Sequence, residues 1–213
     1  MQSLSVEIIA HMIDALVEKG WCEWPNAISN ELCLQLLNEL DALDEQGQME
    51  EAGIGRGQQH QKNHGIRRDS IYWLNGQSEA QQQYLAQMAL LQQQLNRELF
   101  MGLFEYECHY ALYSPGDFYK KHSDSFRGNA NRMITTVLYL NPQWQNEWGG
   151  ELVIYSEDGE QVLHTAMPEI GKLVVFLSEQ TPHEVLPTQQ PRASIAGWFR
   201  CNASTAINLD PAR

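Results

Sequence analysis

The chain is poor in positive charge, poor in cysteine and free of any long apolar run. Its 213 residues hold 14 Lys and Arg against 27 Asp and Glu, a formal net charge of −13. Phosphate polymers are bound by clustered cations, so this balance argues against nucleic acid as the main partner. It argues against an anionic membrane surface for the same reason. The opening stretch MQSLSVEIIAHMIDALVEKG lacks a basic start and carries Glu7, His11 and Asp14. It reads neither as a signal peptide nor as a membrane span. The four cysteines, Cys22, Cys33, Cys108 and Cys201, form no CxxC pair. Without an export signal they read as reduced thiols of a cytoplasmic protein. Internal repeats and interdomain linkers are also missing, which suggests one domain over 1–213.

Hydrophobic residues make up 43% of the chain, enough for a substantial core. Val6, Ile9, Ile13, Leu16 and Val17 recur at helical spacing over 5–19, with Gly20 as a terminating residue. A second helix is predicted from Asn30 to Asp44, capped by Ser29 or Asn30, with Leu32, Leu36, Leu37 and Leu40 inward. The polar, aperiodic segment GIGRGQQHQKNHG reads as a loop, and IRRDSIYWL as a short strand. Tyr84, Leu85, Met88, Leu91, Leu95 and Leu99 mark the longest helix, over 78–100. After Gly102 the pattern changes. Short strands are predicted at 103–113, 117–123, 132–140, 150–155, 161–166, 172–177 and 193–200, separated by turn signals such as SPGD, WGG and EDG. Helices followed by regular short strands suggest an α+β fold: an antiparallel sandwich or barrel over 102–202, with the mainly helical 1–101 bracing it.

The candidate chemistry lies in YKKHSDSFRG. His122 and Asp124 are two residues apart, so in an extended chain both side chains leave the same face. The sequence PHEV supplies His183 just after the apolar run KLVVFL. Two imidazoles and a carboxylate on one face of an octahedron suit Fe(II) and leave positions open. Catalytic zinc also takes three protein ligands, so the ligand set alone leaves the metal open. Arg192 separates the readings. The turn EVLPTQQP returns the chain so that Arg192 and Ser194 share a face. A guanidinium can hold a carboxylate in a fork, with the serine hydroxyl adding a bond. A carboxylate anchor one strand from an open iron site is what a 2-oxoglutarate cosubstrate requires.

YSPGDFYKKHSD, RMITTVLYLN, WGGELVIY and PHEVLPTQQPRASIAGWF together resemble the iron(II)- and 2-oxoglutarate-dependent prolyl 4-hydroxylases, in particular the hypoxia-inducible-factor prolyl hydroxylases and their microbial relatives. The likeness covers most of 103–201, with a weaker echo in IRRDSIYWL. It implies a double-stranded β-helix, or jelly roll. It implies that His122, Asp124 and His183 ligate iron and that Arg192 binds the distal carboxylate of 2-oxoglutarate. Tyr139 would donate to that carboxylate, Tyr113 would lie beside the iron-bound end of the cosubstrate, and Trp198 would face the substrate. Dioxygen is the second cosubstrate and ascorbate an auxiliary reductant. The implied activity is C4 hydroxylation of a prolyl residue in an intracellular protein, a translation component being one candidate target. The carboxylate at Asp124 favours hydroxylation over halogenation, for which relatives carry a small residue there.

Two alternatives stand beside this reading: the same chemistry on another side chain or a free amino acid, and a non-catalytic sensor of metal or 2-oxoglutarate. Arg67 and Asp69 are expected to pair and order the Gly-rich loop, and the segment 53–69 to fold over the substrate as a lid. His60 and His64 read as solvated loop residues. Glu105, Glu107 and His109 alternate like a ligand row but read as the solvent side of an edge strand. Trp144 and Trp148 either line a peptide groove or close one end of the barrel.

Overall fold

The computed structural model describes residues 4–53, 63–125 and 131–202. Three helices precede most of the strands. Helix α1 spans Val6–Lys19, α2 Asn30–Glu45 and α3 Glu79–Leu99. Ser5, Ser29 and Ser78 cap them, each side chain accepting a backbone N–H of the first turn. Gly20 ends α1 at φ 78°, in the left-handed region, its N–H donating to the Leu16 carbonyl. The buried stripe of α1 is Ile9, Met12, Ile13 and Leu16, whereas Val6 and Val17 are 56% and 69% exposed. At 100° per residue Val6 and Val17 lie roughly 70° and 90° from the centre of that stripe, which is why the expected inward face is shifted.

Among the described residues eleven strands follow the order β1 Trp21–Trp24, β2 Glu50–Glu51, β3 Ser70–Trp73, β4 Leu103–Tyr113, β5 Tyr119–His122, β6 Arg132–Tyr139, β7 Leu152–Tyr155, β8 Val162–Ala166, β9 Leu173–Leu177, β10 His183–Val185 and β11 Arg192–Cys201. They form a seven-stranded sheet, β1-β9-β6-β11-β4-β3-β2, and a four-stranded sheet, β5-β10-β7-β8, with every strand pair antiparallel. This is an α+β jelly roll. Strands β1, β2 and β10 lie outside the expected strands: β1 sits between two helices, and β2 and β10 are shorter than periodicity can register.

The large sheet has two working faces. Its outer face packs Cys108, Tyr110, Ile134, Leu138, Val175, Ile195 and Phe199 against the helical leucines and Met88. Its inner face joins Ala111, Tyr113, Val137, Tyr139, Val174 and Phe176 to Leu152, Ile154 and Val185 of the small sheet. Asn96 ties α3 to β4, exchanging hydrogen bonds of 2.7 and 2.9 Å with the Leu103 backbone. The two edge strands β1 and β8 are joined by Glu23 and His164 at 2.7 Å, with Trp21 stacked on His164 at 4.3 Å. Among the described residues no helix is long and apolar enough to cross a membrane.

Strand β4 corrects one expectation. It lies between β11 and β3 rather than at an edge. Glu107 and His109 are therefore 5% and 1% exposed, facing the inter-sheet space and not solvent. The alternation was real; what the sequence hid was the pairing of β3 with β4, which takes β4 away from the edge of the sheet.

Candidate active site

Antiparallel register brings the candidate side chains into successive rows on the inner face of the large sheet. Arg192 pairs with Tyr113; Ser194 lies between Ala111 and Tyr139; Ala196 between His109 and Val137; Trp198 between Glu107 and Thr135. Opposite them, His183 of β10 pairs directly with His122 of β5. The cavity enclosed by these rows is lined by Tyr113, Tyr139's neighbours Val137 and Ser194, the His122, Asp124 and His183 group, Arg192, Arg132 and Trp198.

His122, Asp124 and His183 offer ligand atoms that all lie within 4.8 Å of one another. The Nε2 atoms of His122 and His183 stand 3.6 and 3.7 Å from the two Asp124 oxygens. Each Nδ1 is held by a backbone carbonyl, Lys120 at 2.7 Å and Thr181 at 3.0 Å. A carbonyl only accepts, so Nδ1 carries the proton and Nε2 is free for a metal. Thr135 Oγ1 donates to Asp124 at 2.8 Å and lies 2.9 Å from Ser178 Oγ. Burial alone would raise the Asp124 carboxyl; the two imidazoles outweigh it and hold the group well below the ordinary carboxylate range. For His183 burial acts first and His122 second, pushing the imidazole down to about 4. Near neutral pH the ring is thus uncharged, the form that can offer a lone pair to a metal.

At the other end Arg192 is 1% exposed. Its Nε donates to the Gly150 carbonyl at 2.8 Å and its Nη1 to Ser194 Oγ at 3.2 Å. The guanidinium lies 4.9 and 5.1 Å from the ring centroids of Tyr113 and Tyr139. Among the described residues no carboxylate pairs with it. The Tyr139 hydroxyl is likewise buried and makes no well-formed hydrogen bond among the described residues, though the guanidinium acts on it electrostatically. A buried, unpaired cation beside an orphaned hydroxyl is costly unless an anion completes it. The donor set therefore fits a carboxylate, and the ligand triad fits a divalent metal.

Arg67 and Asp69 form the expected pair, with two bonds at 2.5 and 2.7 Å, and Arg67 lines the same cavity over the Tyr119 ring. Of the expected lid, 54–62 lie outside the described residues, as does His60. Trp144 and Trp148 pack edge to face at 5.3 Å and belong to the Arg192 end, since Gly150 follows them. Four residues escaped sequence reasoning. Arg132 stacks on Trp198 at 3.5 Å and pairs with Glu107 at 2.7 Å; Thr135 reaches Asp124; His109 lines the cavity. Period-two parity from Tyr139 and Tyr113 was the signal that marks Thr135, His109 and Glu107.

A jelly roll that gathers a His-Asp-His group between its sheets, with a guanidinium set deeper on the same face, is the architecture of a 2-oxoglutarate- and iron-dependent dioxygenase. Residues 108–200 match the 2OG-Fe(II) oxygenase superfamily. The structure is similar to that of a Pseudomonas putida prolyl-4-hydroxylase, at 41% identity and TM-score 0.83 over 91% of this chain and 99% of that one. It is also similar to a Trichoplax adhaerens prolyl hydroxylase solved with a hypoxia-inducible-factor oxygen degradation domain peptide, at 25% identity and TM-score 0.80 over 91% and 89% of the two chains. Mouse prolyl 3-hydroxylase OGFOD1 is 36% identical over 86 residues, 37% of this chain but only 15% of that protein. The chain belongs to the prolyl hydroxylases of the 2OG-Fe(II) oxygenase superfamily, enzymes that use Fe(II), 2-oxoglutarate and dioxygen.

Proposed function

We propose that this enzyme hydroxylates C4 of a prolyl residue within a peptide or protein. The observation that carries the reading is the pairing of a preorganised His122-Asp124-His183 group with a buried, acid-free Arg192 in one cavity. His122, Asp124 and His183 hold the iron. Arg192 forks the distal carboxylate of 2-oxoglutarate, Tyr139 and Ser194 complete its hydrogen bonds, and Tyr113 borders the metal-proximal end. Iron with 2-oxoglutarate and dioxygen supplies the oxidation that puts a hydroxyl on carbon, releasing succinate and carbon dioxide. Thr135 keeps Asp124 oriented, and the two backbone carbonyls fix both imidazole tautomers. Val137, Leu152 and Val185 keep that part of the cavity apolar and so limit water near the reacting carbon.

Trp198 and Arg67 flank the remaining space and receive the substrate; Asp69, expected beside them, is buried against Arg67 and instead holds that side chain in place. C4 is preferred over C3 because the Pseudomonas putida prolyl-4-hydroxylase aligns over 91% of this chain, whereas the 3-hydroxylase matches 37% of it. A cytoplasmic site of action is supported by the free state of all four cysteines. The test is aerobic incubation of proline-containing peptides with Fe(II), 2-oxoglutarate and ascorbate, with succinate and the hydroxyproline isomer both quantified. Peptide-stimulated succinate with 4-hydroxyproline is expected. Succinate formation unaffected by every peptide would refute the prolyl substrate.

A further inference from the structure

Trp73, His109, Ala196 and Val137 form one row across β3, β4, β11 and β6. The mechanism above uses none of the first three, yet His109, Ala196 and Val137 all line the cavity. His109 is 1% exposed and wedged between two indoles, 5.1 Å from Trp73 and 5.4 Å from Trp198. Its Nδ1 lies 2.9 Å from the Tyr110 carbonyl oxygen, so Nδ1 carries a proton. Burial first, and Arg67 second, push this imidazole down to about 4, so the ring holds that one proton and no other. Nε2 is left with its lone pair, and no hydrogen bond reaches it among the described residues. Across from it, Ala196 is too small to fill the space. Beside it, Trp198 Nε1–H is buried without an acceptor among the described residues. A wall holding an unmatched acceptor next to an unmatched donor is unfavourable in a site meant for apolar groups alone, and suits a ligand that bears an amide.

We propose that His109 Nε2 is a specificity contact that accepts a hydrogen bond from an N–H next to the substrate's proline ring. The inference rests on the prolyl reading above. An internal prolyl nitrogen has no hydrogen. In a peptide the donor is therefore a backbone amide adjacent to the proline, that of the following residue being the nearest along the chain. In free proline it would be the ring nitrogen itself. The indole walls hold the imidazole in one orientation, so the acceptor is aimed before substrate arrives.

The test uses the whole enzyme with Fe(II), 2-oxoglutarate and ascorbate, a degenerate library of proline-centred peptides, and free proline. For peptides that turn over, the amide after proline is replaced by its N-methyl form. With wild type, N-methylation is expected to lower kcat/KM about tenfold. His109→Leu is expected to raise the KM for the parent peptide about tenfold, and N-methylation should then cost nothing more. His109→Gln, which restores an accepting oxygen, should recover most of the loss and most of the N-methyl penalty. His109→Met carries the same cycle if the leucine variant does not fold. Binding of 2-oxoglutarate with Mn(II), followed by calorimetry, reports whether each variant keeps its site. Penalties that multiply independently, or an unchanged peptide KM in a variant that still binds 2-oxoglutarate, would overturn the contact. Turnover of free proline in preference to every peptide, lost in His109→Leu, would keep the acceptor and assign the ring nitrogen as donor. No turnover of peptide or proline by wild type would refute the substrate reading and the contact with it.

Discussion

The two ends of the cavity both carry arginine, but on opposite terms. At the deep end Arg192 is buried with neutral partners only, a carbonyl and a serine hydroxyl. At the other end Arg132 and Arg67 are each matched to a buried acid, Glu107 at 2.7 Å and Asp69 at 2.5 Å. An unmatched cation waits for an anion; a matched one has its charge settled and offers only spare N–H groups. On the proposed reading, the difference puts the dianionic cosubstrate at one end and an uncharged stretch of substrate at the other. Glu107 is held in turn by Arg200, so the acid that neutralises Arg132 is itself fixed.

The largest effect should come from between the ends. His183→Ala removes a metal-facing nitrogen and should abolish succinate formation together with tight Fe(II) binding, measured by turnover and metal titration. Arg192→Met should raise the KM for 2-oxoglutarate on the order of a hundredfold while leaving the peptide KM nearly unchanged. The same substitution should leave the ligand-free protein as stable as wild type or more so, because an unpaired buried charge is replaced by an apolar chain. Arg132→Met should do the reverse, costing about 2 kcal/mol in urea unfolding, because buried Glu107 loses its closest partner and keeps the longer contact to Arg200. Opposite signs of stability change for the two methionine variants would sharpen the contrast between the ends; equal signs would break it.

Much of this contrast was legible in the sequence, and the rest was hidden for identifiable reasons. Helical periodicity, with a cap read at Ser29 or Asn30 for the second, gave the three helices to within a residue or two, because capping and apolar spacing are local. His122, Asp124, His183 and Arg192 could be chosen because their residue types and order suit one chemistry. Arg132 and His109 could not. Both owe their place to strand neighbours distant in sequence: Arg132 to Glu107 and Trp198, His109 to Trp73 on β3. An acid row on a strand reads as solvent-facing until the strand that covers it is known. The two-residue parity running from Tyr113 through Ala111 to His109 and Glu107 was present all along, but parity names a face without saying which face is inside.

Two smaller effects refine the picture. Thr135→Val removes the hydroxyl that donates to Asp124 and should weaken Fe(II) affinity about tenfold, with the 2-oxoglutarate KM little changed. Gly150→Ala should raise the 2-oxoglutarate KM only several-fold. Gly150 has φ 73°, and a methyl there would meet Arg192 Cδ at 3.1 Å and Thr188 at 3.2 Å, displacing the anchor without removing it.

The central claim is that a metal and a dicarboxylate share this cavity, one at the histidines and the other reaching to Arg192. Its most direct test is an anaerobic titration of the purified protein with Fe(II) and then 2-oxoglutarate, read by the visible charge-transfer absorption of the chelate. Wild type should develop the band at near-stoichiometric cosubstrate, Arg192→Met only at far higher concentration, and His183→Ala not at all. A wild-type protein that develops no band, or an Arg192→Met variant that titrates like wild type, would contradict it.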